Sequence, residues 1–249
     1  MNLRSIARLL ATSAALLGLA AATDPAFAGG VNINNLQALD QDQFHLINED
    51  LGAALSYKPM IPSDPLGVTG FDIGVGLTGT ELRNADTLQQ AVSGSRVYHV
   101  LPMPSLRLDK GLPYNLDIGL MVGKVPDSNI TQWGGALRWA VIPGDTVLPT
   151  VAIRGAATQL NGVSDLHLST QSIDVSVSKG FLIATPYAGV GEVWIHSTPQ
   201  GVPTLVSDSF TKTKVFAGVD VNFGLVNVDF EADEVGSVPS FGIKLGFRF

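Results

Sequence analysis

The chain has no cysteine, which removes a disulfide framework and a thiolate metal site from consideration. Past residue 28 no stretch gives 18 consecutive apolar residues, which argues against a helical membrane protein. Basic residues are scarce: 15 Lys and Arg stand against 22 Asp and Glu, a formal net charge of −7. That balance argues against nucleic acid as a partner. Histidine is limited to His45, His99, His167 and His196, with no pair or triple at ligand spacing, so neither a metal nor a cofactor is expected. Glu192 and His196 sit four residues apart, which on a strand is about 13 Å, too far for an acid–base pair, and no nucleophile can be assigned beside them. No catalytic residue is assigned, and an enzyme is not expected.

What is present begins with a leader. Arg4 and Arg8 precede an uncharged run from Leu9 to Ala22, and Ala26-Phe27-Ala28 forms a small-x-small site before Gly29, the pattern of a cleaved export signal. The alternative, an N-terminal anchor, would need a spanning run of about 20 residues. Cleavage near Ala28 leaves roughly 220 residues, a normal size for one β-barrel.

Along the remaining chain, apolar residues recur at period two. Phe71, Ile73, Val75 and Leu77 alternate with Asp72, Gly74, Gly76 and Thr78. Leu116, Ile118, Leu120 and Val122 oppose Asn115, Asp117 and Gly119, and Ile173, Val175 and Val177 oppose Asp174 and serines. Val226, Val228, Phe230 and Ala232 oppose Asn227, Asp229, Glu231 and Asp233. Residues 184–196 are less regular: Tyr187, Val193 and Ile195 read as the apolar side against Glu192, with Trp194 on the polar parity, a pattern a bulge would explain. The chain ends on Phe-Gly-Ile-Lys-Leu-Gly-Phe-Arg-Phe, 241–249, the tenth such segment. Short connections near 109–114, 142–148, 179–183 and 223–226 alternate with mostly longer ones, and Phe71, Tyr114, Trp139, Tyr187, Phe223 and Phe249 lie close to the short ones, where a girdle of aromatics would meet a membrane interface.

Leader, dyad strands, alternating connections and a terminal aromatic together resemble Gram-negative outer-membrane β-barrel proteins over residues 70–249. The resemblance implies an all-β, transmembrane, up-and-down antiparallel barrel of about ten strands in the bacterial outer membrane, with lipid against its outer face. It also implies that Phe241, Ile243, Leu245, Phe247 and Phe249 form the signal read by the barrel assembly machinery. It transfers no other site residues.

Ahead of the barrel, in residues 29–66, Asp40-Gln41-Asp42-Gln43 forms a capping box flanked by Leu39 and Phe44, and Phe44, Ile47 and Leu51 share a face, so a short helix is expected at 41–51. Three readings suit it: a plug in the lumen, a cap on the periplasmic mouth, or a frayed leader that lies against a turn. Residues 53–58 also alternate before Pro59, Pro62 and Pro65. Bacterial barrels prefer even counts, so either this segment lies in the lumen or a partner near 31–35 raises the count to twelve strands.

The inward parity carries Asp72, Arg107, Asp117, Arg138, Arg154, Asp174, Glu192, Asp220, Asp229, Glu231, Asp233, Lys244 and Arg248. Hairpin spacing places Asp229 opposite Lys244, Asp220 opposite Asp229, and Arg107 opposite Asn115 and diagonal to Asp117, so the charges should pair across the wall. Ten to twelve strands lie near the limit at which side chains fill the bore. The expectation is therefore a narrow passage, either open or plugged, for small polar or ionic solutes. The alternative is a non-conducting structural or lipid-contacting barrel. A rim enzyme lacks its residues, and a carrier of hydrophobic ligands would need an apolar lumen. Gly74-Val75-Gly76-Leu77-Thr78-Gly79 matches a dinucleotide-binding spacing, but strand alternation runs straight through it and no helix pattern follows.

Overall fold

The structure, a computed structural model, describes residues 31–94 and 97–249. The leader expected at 1–28 lies outside these residues. Ten strands form a closed barrel: β2 (Phe71–Glu81), β4 (Val100–Leu112), β5 (Leu116–Lys124), β6 (Thr131–Ile142), β7 (Thr150–Asn161), β8 (Leu166–Ser178), β9 (Ala184–Pro199), β10 (Asp208–Phe223), β11 (Val226–Val235) and β12 (Val238–Arg248). Successive barrel strands pair antiparallel, and β12 closes on β2 with Arg248 opposite Asp72. At the seam Phe71 and Phe249 exchange backbone hydrogen bonds, 2.7 and 3.0 Å.

The outer wall is apolar because every second residue of each strand leaves the barrel. Ile73, Val75, Leu77, Leu106, Ile118, Leu120, Val122, Trp133, Leu137, Ile173, Val175, Leu245 and Phe247 are all exposed. In water such a surface would be a large unfavourable patch; in hydrocarbon it is the side chain's preferred neighbour.

Two further strands, β1 (Val31–Ile33) and β3 (Val92–Gly94), pair with each other outside the barrel. The twelve-strand alternative therefore fails: 31–33 is extended but joins β3, while Ala53–Leu55 ends a helix. That helix, α1 (Gln41–Leu55), starts at the expected capping box. The Asp40 side chain accepts from the Gln43 backbone N–H (2.8 Å), and the Gln43 side chain accepts from the Asp40 N–H (3.0 Å). A second short helix, α2 (Ala85–Ala91), lies in the β2–β4 connection.

The connections depart from strict alternation of length. Residues 143–149 on the short-turn side outrun 162–165 on the other side, and β9 and β10, at 16 residues each, run past the about 9–11 residues a transmembrane strand needs. Tyr187 is a second departure. It is buried and points inward, so it is not part of the aromatic girdle, whereas Tyr114, Trp139, Phe223 and Phe249 are exposed.

Candidate functional site

The N-terminal segment runs through the barrel from one mouth to the other. Helix α1 is seated at the mouth that carries the β2–β4, β5–β6, β7–β8 and β9–β10 connections. Phe44, Ile47, Leu51 and Leu55 are buried in one apolar cluster with Leu82, Leu88, Val97, Ile130, Leu160, Leu166 and Leu205 from those connections and strand ends. Asp50 pins the same helix by accepting from the backbone N–H groups of Arg83 (3.1 Å) and Asn84 (2.7 Å). The cap alternative placed the helix at the opposite, short-turn mouth. Instead α1 lies at the other mouth, where those connections bury its apolar face.

Seating α1 explains the irregular parity of β9. Val193 and Ile195 face inward and pack with Ala53, while Trp194 is exposed on the outside. Glu192 shares the outward parity with Trp194 and accepts from the Thr213 hydroxyl at 3.0 Å. The expectation of a lumen-facing Glu192 is therefore corrected. No bulge intervenes, since the register of β9 is continuous with both neighbours. The inward residues there are apolar because a helix covers them. Contact is close enough that a Cβ on Gly52 would lie 2.6 Å from Ile195.

Below α1 the chain descends as an irregular strap, residues 56–66, whose partners move steadily down the wall. At the top, the Leu55 carbonyl accepts from Gln132 and from Thr158 (2.7 Å), and the Lys58 ammonium meets Asp233 at 3.1 Å. At mid-depth Lys214 donates to the Tyr57 carbonyl, Arg107 to the carbonyls of Lys58 and Pro59, and the Met60 N–H to Glu231 (2.7 Å). Lower down Arg138 donates to the carbonyls of Pro62 and Asp64, while Ser63 bonds Ser176 and Ser178 of β8. At the bottom Asp64 accepts from Thr150 and Ser178, both at 2.6 Å, and the Leu66 N–H reaches Asp117 at 2.9 Å. A strap with three prolines cannot offer a full ladder of N–H donors, so the wall supplies donors for its carbonyls. Burial without those partners would be unfavourable.

Inward glycines make the room. A Cβ on Gly242 would lie 1.8 Å from the Met60 methyl, and one on Gly119 would lie 2.6 Å from the Tyr57 hydroxyl. Gly74 and Gly76 are inward and buried; a Cβ on Gly76 would lie 3.5 Å from the Met60 sulfur. The glycine-rich stretch thus leaves space for a strap inside the barrel, and β2 runs through it without a break.

The remaining inward charges pair chiefly with one another. Asp72 takes Lys244 (3.1 Å) and Arg248 (2.6 Å); Arg248 also takes Asp220 (2.9 Å), and Asn227 bridges Asp72 and Asp220. Arg138 and Asp117 pair at 2.9 Å. Asp229 stands opposite Lys244 and Asp220 in register, yet its carboxylate accepts from Tyr187, which also donates to Glu231. Arg107 stands opposite Met121, not Asn115, because the β4–β5 reversal runs through 113–115, where Tyr114 and Asn115 adopt positive φ. Arg154 lies 3.9 Å from Asp174 and 5.8 Å from the Phe216 ring centroid.

Sequence reasoning missed the strap's own Tyr57, Lys58 and Asp64, and on the wall Asp109 and Lys214. The last two carried a usable signal, since each shares parity with a recognised inward charge. The even-strand argument left a lumen placement open for 53–58, which covers the top of the strap, but nothing in the local pattern of 59–66 marks it as a lumen segment.

The resulting bore is closed. A cavity of about 10 Å³ lies among Tyr57, Asp109, Asp117, Arg138 and Arg154, room for about one water. A vestibule of about 420 Å³ opens at the short-turn mouth, floored by 61–66 and edged by Thr185, Arg248 and Phe249. Among the described residues no group of His, Asp and Glu is arranged to hold a metal ion.

No protein-family model matches the chain, and no curated protein matches it. Several solved structures are similar in form. The N-terminal β-barrel domain of Pseudomonas aeruginosa OprF is 12% identical, with a TM-score of 0.38 over 72% of this chain and 97% of that one. Neisserial surface protein A is 12% identical, with a TM-score of 0.32 over 72% and 94%. Ail, the attachment invasion locus protein of Yersinia pestis, is 13% identical, with a TM-score of 0.28 over 72% and 97%. Identities this low carry no information on activity.

Proposed function

We propose that the chain is an outer-membrane barrel whose polar lumen is a narrow passage for small polar or ionic solutes, held shut by its own N-terminal segment. The exposed apolar wall supports outer-membrane lipid as its solvent. The last strand, with Ile243, Leu245, Phe247 and Phe249 exposed along one face and Phe241 half-buried, supports recognition by the barrel assembly machinery. One observation carries the closed state: wall side chains of seven strands bind the strap from top to bottom, leaving a cavity with room for about one water. A polar wall behind the strap supports a path for hydrophilic solutes once it is withdrawn.

A second reading, a permanently closed structural barrel, draws on the same bonds. Withdrawal would strip partners from Lys58, Asp233, Arg107, Arg138 and Lys214, all buried, and a buried charge left unpaired costs roughly 3–5 kcal/mol.

Planar-bilayer recording separates the two. The full chain should be silent in buffer and should open reversibly in urea too dilute to unfold the barrel. Silence under both conditions would favour the structural barrel, and steady openings in buffer would exclude the plug.

A further inference from the structure

We infer that this barrel delivers its own N-terminal segment to the outer face of the membrane, so that residues 32–46 are displayed at the cell surface. The inference rests on the outer-membrane placement proposed above and not on whether the lumen ever conducts. Short strand connections and the C-terminal strand end mark the periplasmic side of bacterial barrels. Here Phe249 and the connections at 113–115, 179–183 and 224–225 share one mouth.

From that mouth the chain can be followed backwards. Phe71 bonds Phe249 at the seam, Leu66 and Asp64 touch the lower ends of β5, β7 and β8, and Lys58 and Leu55 touch the upper ends of β11, β6 and β7. Eleven strap residues reach about 35 Å at full extension, enough to cross an apolar band about 25 Å tall.

The direction has a chemical cause at each end. The apolar face of α1 is buried in the long-connection cluster. Gln41 is tied there on both sides of Val206, donating to its carbonyl at 3.3 Å and accepting from its N–H at 2.9 Å. His45 meets Asp208 at 2.7 Å. Beyond this anchor Asn32, Gln37, Ala38, Asp40 and Asp42 are exposed. Removal of the expected leader on the inner side leaves these polar residues to cross inside the forming barrel, because hydrocarbon would penalise their unpaired backbone.

The absence of native cysteine makes the test direct. Ala38→Cys, Thr204→Cys in the β9–β10 connection and Val147→Cys in the β6–β7 turn, each exposed, are labelled on intact cells with a membrane-impermeant maleimide. Each variant is first checked for heat-modifiable migration, and Gln37→Cys replaces Ala38→Cys if that check fails. The expected result is equal labelling at 38 and 204, with labelling at 147 at least tenfold lower until the cells are permeabilised. Labelling at 204 with protection at 38 overturns the delivery of the segment while leaving the barrel's orientation intact. Labelling at 147 with protection at both other positions reverses the orientation and overturns the display.

Discussion

Helix α1 and the strap beneath it belong to one continuous segment in one barrel, yet opposite chemistries hold them. The helix is seated by side-chain burial: Phe44, Ile47, Leu51 and Leu55 meet apolar loops, and apart from its two ends its backbone is satisfied internally. The strap buries few large apolar groups and is held through its backbone, with Arg107, Arg138 and Lys214 donating to its carbonyls, and with Gln132 and Thr158 donating to the Leu55 carbonyl where the helix hands over to it. The difference follows from what each stretch can satisfy alone. A segment that makes its own hydrogen bonds can be packed against hydrocarbon side chains, whereas one interrupted by proline must be placed against a polar wall. The two mouths differ accordingly. The upper one is sealed by a hydrophobic cluster, and the lower one opens into a vestibule floored by the strap.

Breaking the lower half should cost most. Arg138→Ala removes two strap contacts and leaves Asp117 buried without its cation, an expected loss of about 4 kcal/mol in strap seating. Limited proteolysis should then cut within 56–66 while the barrel keeps its heat-modifiable migration. Protection equal to that of the native chain would mean that the strap is held by its topology alone.

Leu51→Ala probes the upper half. Truncating a fully buried leucine should cost about 3 kcal/mol and speed proteolysis at α1 before it affects the strap. Simultaneous release of both halves would show that they form one cooperative unit, and would erase the distinction drawn between them.

The smallest effect concerns pH. Burial lifts the Asp50 carboxyl above its ordinary value of 3.8, opposed by the N–H groups of Asn84 and Arg83. The folded chain therefore binds a proton at Asp50 more readily than the unfolded chain does. Between the raised value and 3.8, stability falls as pH rises and grows as pH falls. Protection of α1 should increase modestly on acidification toward 3.8, and Asp50→Asn should remove that part of the slope.

The wall was legible because a strand between lipid and lumen has only two environments. Parity alone separates Ile73 from Asp72 and Ile173 from Asp174. The capping box of α1 was legible for a similar reason, since its bonds lie within four residues. Legibility failed where a third environment intruded. Val193 and Ile195 read as lipid-facing because nothing local announces a helix inside the barrel, and Glu192 was carried inward with them. Arg107 was misregistered because the β4–β5 reversal depends on the backbone of Tyr114 and Asn115.

Residue order by itself determined the alternation, the capped helix and the inward polarity of the wall, because each is a short-range pattern of solvent preference. Only the tertiary structure decided which mouth receives α1, that residues 56–66 occupy the lumen, and which charge meets which. Those outcomes depend on groups more than a hundred residues apart, such as Leu55 with Thr158 and Lys58 with Asp233. Closure of the sheet brings them within hydrogen-bonding distance.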